Sequence, residues 1–490
     1  MINKIKKLLY LIFFLSFYSG ISIYSERICF AVDSKRCAAI NLVVLPGKTF
    51  VEGYTQTKEF LTNYFLSGKV VTTGGTSKDP IITKERFKNL EKGFTFFYDK
   101  GSRKKAGFLL LSRTNPENGL PSIELWNLNL QKKVHEYKFD FEEISKKTGT
   151  VFGSTNIFTH PNILSDGTLL ISNVGDKGLL VKFDECGNYL NSIDLRSYYD
   201  KSGFPRSFHH SLEIDKNGNI YLPTKNPETK INIQDFPKDF DHDGFAILDS
   251  DLNIKNEIAL LDIYEQSGLI IDILNKDPFA KDPFHLNDVQ PFIRDDGSLI
   301  VLLSLRNQST LIAYDIEKSK IIWKIDRATF FQHDVDIINA KNDFIDIGVF
   351  NNNIKKYPPY KEIGSSVNEY VTFKNLPTKL SDQIKFISTK ETHNKYKINR
   401  YNFSNLDDYL KPRTFKQGLA DFNKANNSLI FEETGYGRIF EIDLSSQQIF
   451  WEFQNKSKKN GLLFQMSWSR FIPELNNISV LENKFKRCTI

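Results

Sequence analysis

The chain has 490 residues, enough for one large or two ordinary domains. Its 65 basic and 59 acidic side chains leave a net charge of +6, and no basic block exceeds short runs such as 103–105; this argues against a nucleic-acid partner, which needs a clustered positive footprint. The 41 Phe and 20 Tyr favour strands, because aromatic side chains fit pleated, half-buried surfaces.

Lys4, Lys6 and Lys7 precede the apolar stretch LLYLIFFLSFYSGISIY, residues 8–24. A positive segment followed by an apolar core reads as a secretory signal. The stretch also meets the lower limit of about 17 residues for a membrane span, and no small-x-small cleavage site follows it. Residues 1–25 therefore read either as a cleaved signal or as an uncleaved anchor. Both readings carry the remainder out of the cytoplasm to the periplasm, tethered to the inner membrane in the second. Residues 26–90 read as an N-terminal extension with some strand. Four cysteines suit an oxidising compartment. Cys29 and Cys37 are near enough in sequence to pair, which leaves Cys186 and Cys488 as a long-range staple; free buried thiols are the alternative. No CxxC is present, which argues against a cysteine zinc site.

From residue 91 onward one layout recurs. FLLLSRTNPENGLPSIELWNLNLQKKVHEYKF (108–139) reads as strand, loop, strand, turn, strand. The same order returns at 167–193, at 218–260 with an insertion, at 297–325, in degenerate form at 344–387, and at 427–453. The turn before each third strand is marked by Asn127, Asp184, Asp249, Asp315, Asn375 and Asp443, spaced by 57, 65, 66, 60 and 68 residues. Six such units of short strands predict an all-β fold, a six-bladed β-propeller over 91–460, with 461–490 closing or covering it. The Asp-x-x turns, such as Asp315-Ile316-Glu317-Lys318, read as hairpin connections in which Gly or Asn supplies the tight dihedrals.

Four of the eight histidines precede the first strand of a unit: His160 in THPN, His210 in FHHS, His285 in FHLN and His333 in QHDV. Residues leading into the innermost strands of a propeller meet at one funnel around the axis, so these imidazoles are expected to converge, with Asn162, Asn287 and Arg306 nearby. Packing alone accounts for one such histidine more readily than for four. DFDHDG (239–244) opens like a calcium loop, but its twelfth position is Ser250 rather than Glu; it reads as an acidic loop, and no metal site is expected.

The ordered set His285-Leu286-Asn287, then Ser304-Leu305-Arg306, then Trp323, then Gln332-His333-Asp334 resembles the bacterial arylsulfotransferase family. His209-His210 resembles that family's paired-histidine element, with Ser211 where an acid is usual. Gly437-Arg438-Ile439-Phe440-Glu441 and Trp451-Glu452-Phe453 resemble its last blade. The resemblance spans residues 205–455 and implies a six-bladed propeller. It also implies transfer of a sulfuryl group from an aryl sulfate to a phenolic acceptor by a ping-pong route, with no cofactor. On that reading His333 is the nucleophile and is transiently sulfated, and His209, His210, His285, Asn287 and Arg306 bind the sulfuryl oxygens. His285 also exchanges the phenol proton, while Asp334 either holds the His333 ring or is a turn carboxylate. A neutral imidazole is both a good nucleophile and a good leaving group. The planar guanidinium of Arg306 suits a tetrahedral oxyanion. The family's C-terminal lysine has three candidate counterparts, Lys456, Lys458 and Lys459.

Two rival readings use the same fold. A non-catalytic extracytoplasmic propeller that binds a partner or glycan has no reason to converge several histidines and an arginine. A quinoprotein dehydrogenase repeats a tryptophan in most of eight blades, whereas only Trp323 and Trp451 mark third strands here.

Overall fold

The computed structural model describes residue 87 and residues 91–489, except 153–156, 175–177, 198–205, 232–240, 271–272, 274–281, 342, 355–366, 382–383, 388–395, 409, 415–416, 460 and 476–477. The apolar stretch 8–24, Cys29, Cys37 and Asp239 lie outside the described residues.

These residues form six sheets, one per blade, and the chain is a six-bladed β-propeller. The second blade runs Thr159–Ile163, Leu169–Val174, Leu179–Phe183 and Tyr189–Ile193 from axis to rim. The third is built on Glu213–Ile214, Ile220–Lys225, Asp243–Leu248 and Ile254–Ala259. The fourth follows as Leu286–Ile293, Leu299–Leu305, Thr310–Asp315 and Lys320–Asp326. The fifth comprises Val335–Ala340, Phe344–Asn351, Glu369–Pro377 and Lys397–Tyr401, and the sixth Leu419–Asn423, Ser428–Glu433, Arg438–Asp443 and Ile449–Gln454.

Both ends of the described chain join this ring. The first blade, Phe108–Thr114, Pro121–Asn127 and Lys132–Glu136, takes its innermost strand, Arg470–Ile472, from the C-terminal side. Gly93–Phe96 adds an outer strand to the sixth blade against Trp451–Gln454. A disulfide between Cys186 and Cys488 ties helix Ile478–Phe485 and its tail to a second-blade turn, as the staple reading expected. Leu481 and Phe485 of that helix pack into the core between the first two blades.

Burial on both faces explains why the blade strands read as continuous apolar runs. In Leu299–Leu305, Val301 and Leu303 pack toward the third blade while Ile300 and Leu302 pack toward the fifth. Each junction between neighbouring blades holds a separate cluster of buried apolar side chains. Non-directional burial on both faces is what holds the blades in a ring.

The turn markers have a local cause. Asp184 Oδ1 accepts the Cys186 and Asn188 amides, and Asn188 Nδ2 donates to Asp184 Oδ2 at 2.8 Å. Asp249 and Asn253 repeat the arrangement. In the shorter turns Asn127, Asp315 and Asp443 each accept a backbone N–H three residues on or nearer. Asn375 differs. It lies inside Glu369–Pro377 at positive φ, where the pairing with Phe344–Asn351 shifts register, so it makes a bulge rather than a hairpin. The outer strand of that blade is therefore Lys397–Tyr401, and Lys385–Ile387, expected to fill this place, runs parallel to Trp323–Ile325 of the fourth blade.

Candidate active site

Each innermost strand has one non-glycine residue in the left-handed region just before it or, for His160, at its second position: His160, His210, His285, Phe331, Gln417 and Trp468, with φ between 47° and 59°. Such a conformation costs on the order of 1–3 kcal/mol and persists where surroundings over-determine it, often at functional sites. Three of the six are the expected histidines. His333 is not at this position: Phe331 takes it in the fifth blade, and His333 lies two residues further on.

The rings nonetheless meet. The centroid of His210 is 5.1 Å from that of His285, 6.0 Å from that of His333 and 5.7 Å from that of Trp468. Trp468 stands edge-on to His160 at 5.6 Å and to His333 at 6.1 Å. The indole is buried, and its N–H has no hydrogen-bond partner among the described residues. Trp468 comes from the C-terminal segment that closes the first blade, which no repeat pattern in the sequence singles out.

His333 is 2% exposed and tightly held. Its Nδ1 is 2.6 Å from Asn352 Oδ1 and 3.2 Å from the Phe331 carbonyl, and both of these only accept. The proton is therefore on Nδ1, and Nε2 keeps its lone pair, which accepts the Gln417 N–H at 3.1 Å. Asn352 is fixed in turn by donating to the Thr414 and Gln417 carbonyls. Burial, with Arg306 next, holds the His333 pKa well below the usual histidine value, so the ring is neutral. Burial does the same for His160 and His210. Burial, opposed by Asp282 and assisted by Arg306 and Lys225, takes His285 down to about 4.

Arg306 follows strand Leu299–Leu305, and its amide donates to the His285 carbonyl at 3.1 Å. The guanidinium donates to Asn307 Oδ1 and lies 5.0 Å from the Phe331 ring. Its charge acts on both His285 and His333, lowering the pKa of each. Asn287 is buried and donates to the Gln332 carbonyl, bracing the segment before His333.

Several expected roles differ in the structure. Asp334 does not touch the His333 ring; its carboxylate is buried and accepts the Ala420 amide at 3.1 Å. It belongs to a set of blade-to-blade latches around the axis. Asp243, Asp288 and Asp421 likewise accept the amides of Leu286, Val335 and Phe471 from the following blade. His209 has both ring nitrogens turned to protein, Nδ1 at 2.6 Å from His210 Nδ1 and Nε2 at 3.3 Å from Asp243 Oδ1, the latter out of line for a full hydrogen bond. Asp243 of the DFDHDG segment thus turns to the funnel instead of a loop. Lys456 pairs with Leu463, and the backbones of Lys458 and Lys459 bond Glu117 and Ser457. The lysine at the histidines is Lys225, at the end of strand Ile220–Lys225, which carries no motif of its own. Its amine contacts Asp243 at 2.8 Å and Asp282 at 2.7 Å.

A neutral nucleophilic imidazole, a guanidinium beside it and further imidazoles facing it form a site suited to moving an anionic tetrahedral group between oxygen nucleophiles.

Among solved structures, a Bacteroides caccae protein of unknown function shares 13% identity over 75% of this chain and 99% of its own, with a TM-score of 0.42. The β-propeller domain of Myceliophteria thermophila Cps50 (Swd1) shares 9% over 70% and 86%, with a TM-score of 0.34. At these values neither says what the chain does. No curated protein matches it. The family model for arylsulfotransferase (ASST) matches residues 160–456, a stretch that contains His209, His210, Lys225, His285, Asn287, Arg306 and His333, and on that match the chain belongs to the arylsulfotransferase family.

Proposed function

We propose that this protein transfers a sulfuryl group from an aryl sulfate to a phenol in two steps through a sulfated His333. The observation that carries the reading is the convergence of His210, His285 and His333, whose rings lie 5.1 Å (His210 to His285) and 6.0 Å (His210 to His333) apart, with the Arg306 charge acting on His285 and His333. In the first step the His333 Nε2 lone pair leaves the Gln417 amide and attacks sulfur. The S–O bond to the aryl oxygen breaks, and that oxygen departs as phenolate, which takes up a proton from solvent or from His285 where a preceding transfer has left one there. In the second step an acceptor phenol attacks the same sulfur, the N–S bond breaks, and the acceptor's proton returns to His285. Arg306 offsets charge that builds on the sulfuryl oxygens.

The test is purified protein with 4-nitrophenyl sulfate and phenol. A burst of nitrophenolate equal to the protein, and an acid-labile label on His333 lost in His333→Ala, is the expected result. Turnover by His333→Ala at the wild-type rate would refute the nucleophile.

The same reading puts the propeller in the periplasm. The apolar stretch 8–24 and the Cys186–Cys488 disulfide support it, since disulfides persist outside reducing compartments. A reporter fused after residue 100 that is active only in the cytoplasm would contradict it.

A further inference from the structure

A chain of charged and hydrogen-bonding groups leaves the histidine funnel at one imidazole and returns to it at another. His285 Nδ1 is hydrogen-bonded to Asp282 Oδ2. Asp282 Oδ1 accepts from Lys225 Nζ at 2.7 Å, and the same amine lies 2.8 Å from Asp243 Oδ1. Asp243 Oδ1 is 3.3 Å from His209 Nε2, and His209 Nδ1 is 2.6 Å from His210 Nδ1. The loop closes across the funnel, where the His210 and His285 rings are 5.1 Å apart.

The chemistry of this loop determines where its protons lie. Lys225 is an ammonium between two carboxylates: it donates to Asp282 and pairs with the Asp243 charge at 2.8 Å, which keeps both ionised. An ionised Asp282 accepts, so His285 carries its proton on Nδ1. The Asp243 charge, 3.3 Å from His209 Nε2, favours the His209 proton on that nitrogen, which leaves its Nδ1 bare. Two ring nitrogens 2.6 Å apart need one proton between them, and His210 Nδ1 supplies it. His285 and His210 are then both left with a bare Nε2, the ring nitrogen that no described protein group holds.

We propose that Asp282, Lys225, Asp243 and His209 are positioning residues that fix His285 and His210 as paired proton acceptors, and that the acceptor substrate is accordingly an un-ionised phenol. This rests on the sulfuryl-transfer reading. In the second step the phenol O–H bond breaks, its oxygen forms the new S–O bond as the N–S bond breaks, His333 recovers its lone pair, and the proton goes to Nε2 of His285. The imidazolium so formed faces Asp282 as counter-ion, with Lys225, Arg306, His209, His210 and His333 as the other titratable or charged groups around it. Next, that proton is returned to the leaving oxygen of the donor. Neither bare nitrogen can donate to a sulfuryl oxygen, which leaves that task to Arg306 and revises the anion-binding role expected of His209, His210 and His285.

The test reads tautomers directly, so it does not depend on turnover. In 15N-histidine NMR spectra of the full-length protein, His285 and His210 should each show a protonated Nδ1 and an unprotonated Nε2. Asp282→Asn should redistribute the His285 tautomers. A resting His285 or His210 protonated on Nε2 overturns the proposal even if the enzyme is active. The kinetic arm uses opposite pH shifts. Asp282 raises and Lys225 lowers the His285 pKa, so Asp282→Asn should move the acid limb of kcat/KM down and Lys225→Met should move it up. Asp282→Asn should also lose about 100-fold or more with phenol and less with acidic nitrophenol acceptors. An equal loss for all acceptors with an unmoved pH limb would mean a structural role only. Absence of any nitrophenolate release by the wild type would defeat the sulfuryl-transfer reading instead, and the NMR result would still decide the tautomers.

Discussion

Replacing Asn352 by Ala separates holding the nucleophile from being it. Asn352 is fully buried and makes three side-chain hydrogen bonds: Nδ1–H of His333 at 2.6 Å, and the Thr414 and Gln417 carbonyls at 3.1 and 2.8 Å. At about 1 kcal/mol net per bond the loss of stability is ~3 kcal/mol. For a propeller of roughly 400 residues, unfolding entropy of about 2.1 cal/mol/K per residue turns this into ~3–4 °C in Tm. The Thr414 carbonyl retains the Asn368 amide, so the damage stays local. The kinetic cost follows from the tautomer. Setting the wrong tautomer in a serine protease triad costs ~10⁴ in kcat. Here the Phe331 carbonyl, 3.2 Å from Nδ1, remains as a weaker acceptor, so a loss of about 100-fold, or ~2.7 kcal/mol, is expected in the sulfation step. The assay is the rate constant of the nitrophenolate burst by rapid mixing, alongside a melting curve. Asn352→Asp keeps an acceptor but places a charge beside the ring. At about 4 Å and an effective dielectric near 20 that is worth ~4 kcal/mol, so the acid limb should rise by up to about 3 pH units. A burst as fast as the wild type's in folded Asn352→Ala would refute the reasoning, as would an Asn352→Asp profile that does not move.

Burial, followed by the Glu213 charge, raises the Asp288 pKa to about 7. A carboxyl raised in the folded state contributes its stability below the unfolded value near 3.9 and loses it as pH rises to 7. Asp288→Asn keeps an acceptor for the Val335 amide and should therefore stabilise the protein at pH 8 but not at pH 4; melting curves at the two values test this, and equal shifts would contradict it. Reducing Cys186–Cys488 opens a loop of separation 302, a loss of ~5–6 kcal/mol if chain entropy alone counts. A fall of about 2–4 kcal/mol is expected in urea titrations with and without reductant, and identical midpoints would show that the staple does not constrain the unfolded chain. Arg306→Lys should lower kcat by ~10²–10³, because a point charge cannot reproduce the planar fork; steady-state kinetics within fivefold of the wild type would remove Arg306 from the anion site.

How much of this was legible in the residues follows from what each feature depends on. The six-unit ring is local chemistry repeated. Asp184 and Asp249 close their turns on neighbours two and four residues away, and strands such as Leu299–Leu305 carry apolar side chains toward both adjoining blades. Every unit carries the residues for both effects, so both leave a period in the sequence, and the convergence of His210, His285 and His333 follows from closing the ring. Asn375 misled because the same small polar side chain that suits a turn also suits a bulge, and only cross-strand register separates the two. The rest was decided by the tertiary structure. Lys225 and Asp282 lie 57 residues apart and Asp334 is paired with Ala420 across a blade junction. Trp468 reaches the histidines only because the C-terminal strand Arg470–Ile472 closes the first blade. Whether His333 keeps its proton on Nδ1 depends on Asn352 and Gln417, which come from two further segments. Tautomer, charge state and exposed nitrogen are properties of groups brought together through space, and a linear pattern records the groups without the distances between them.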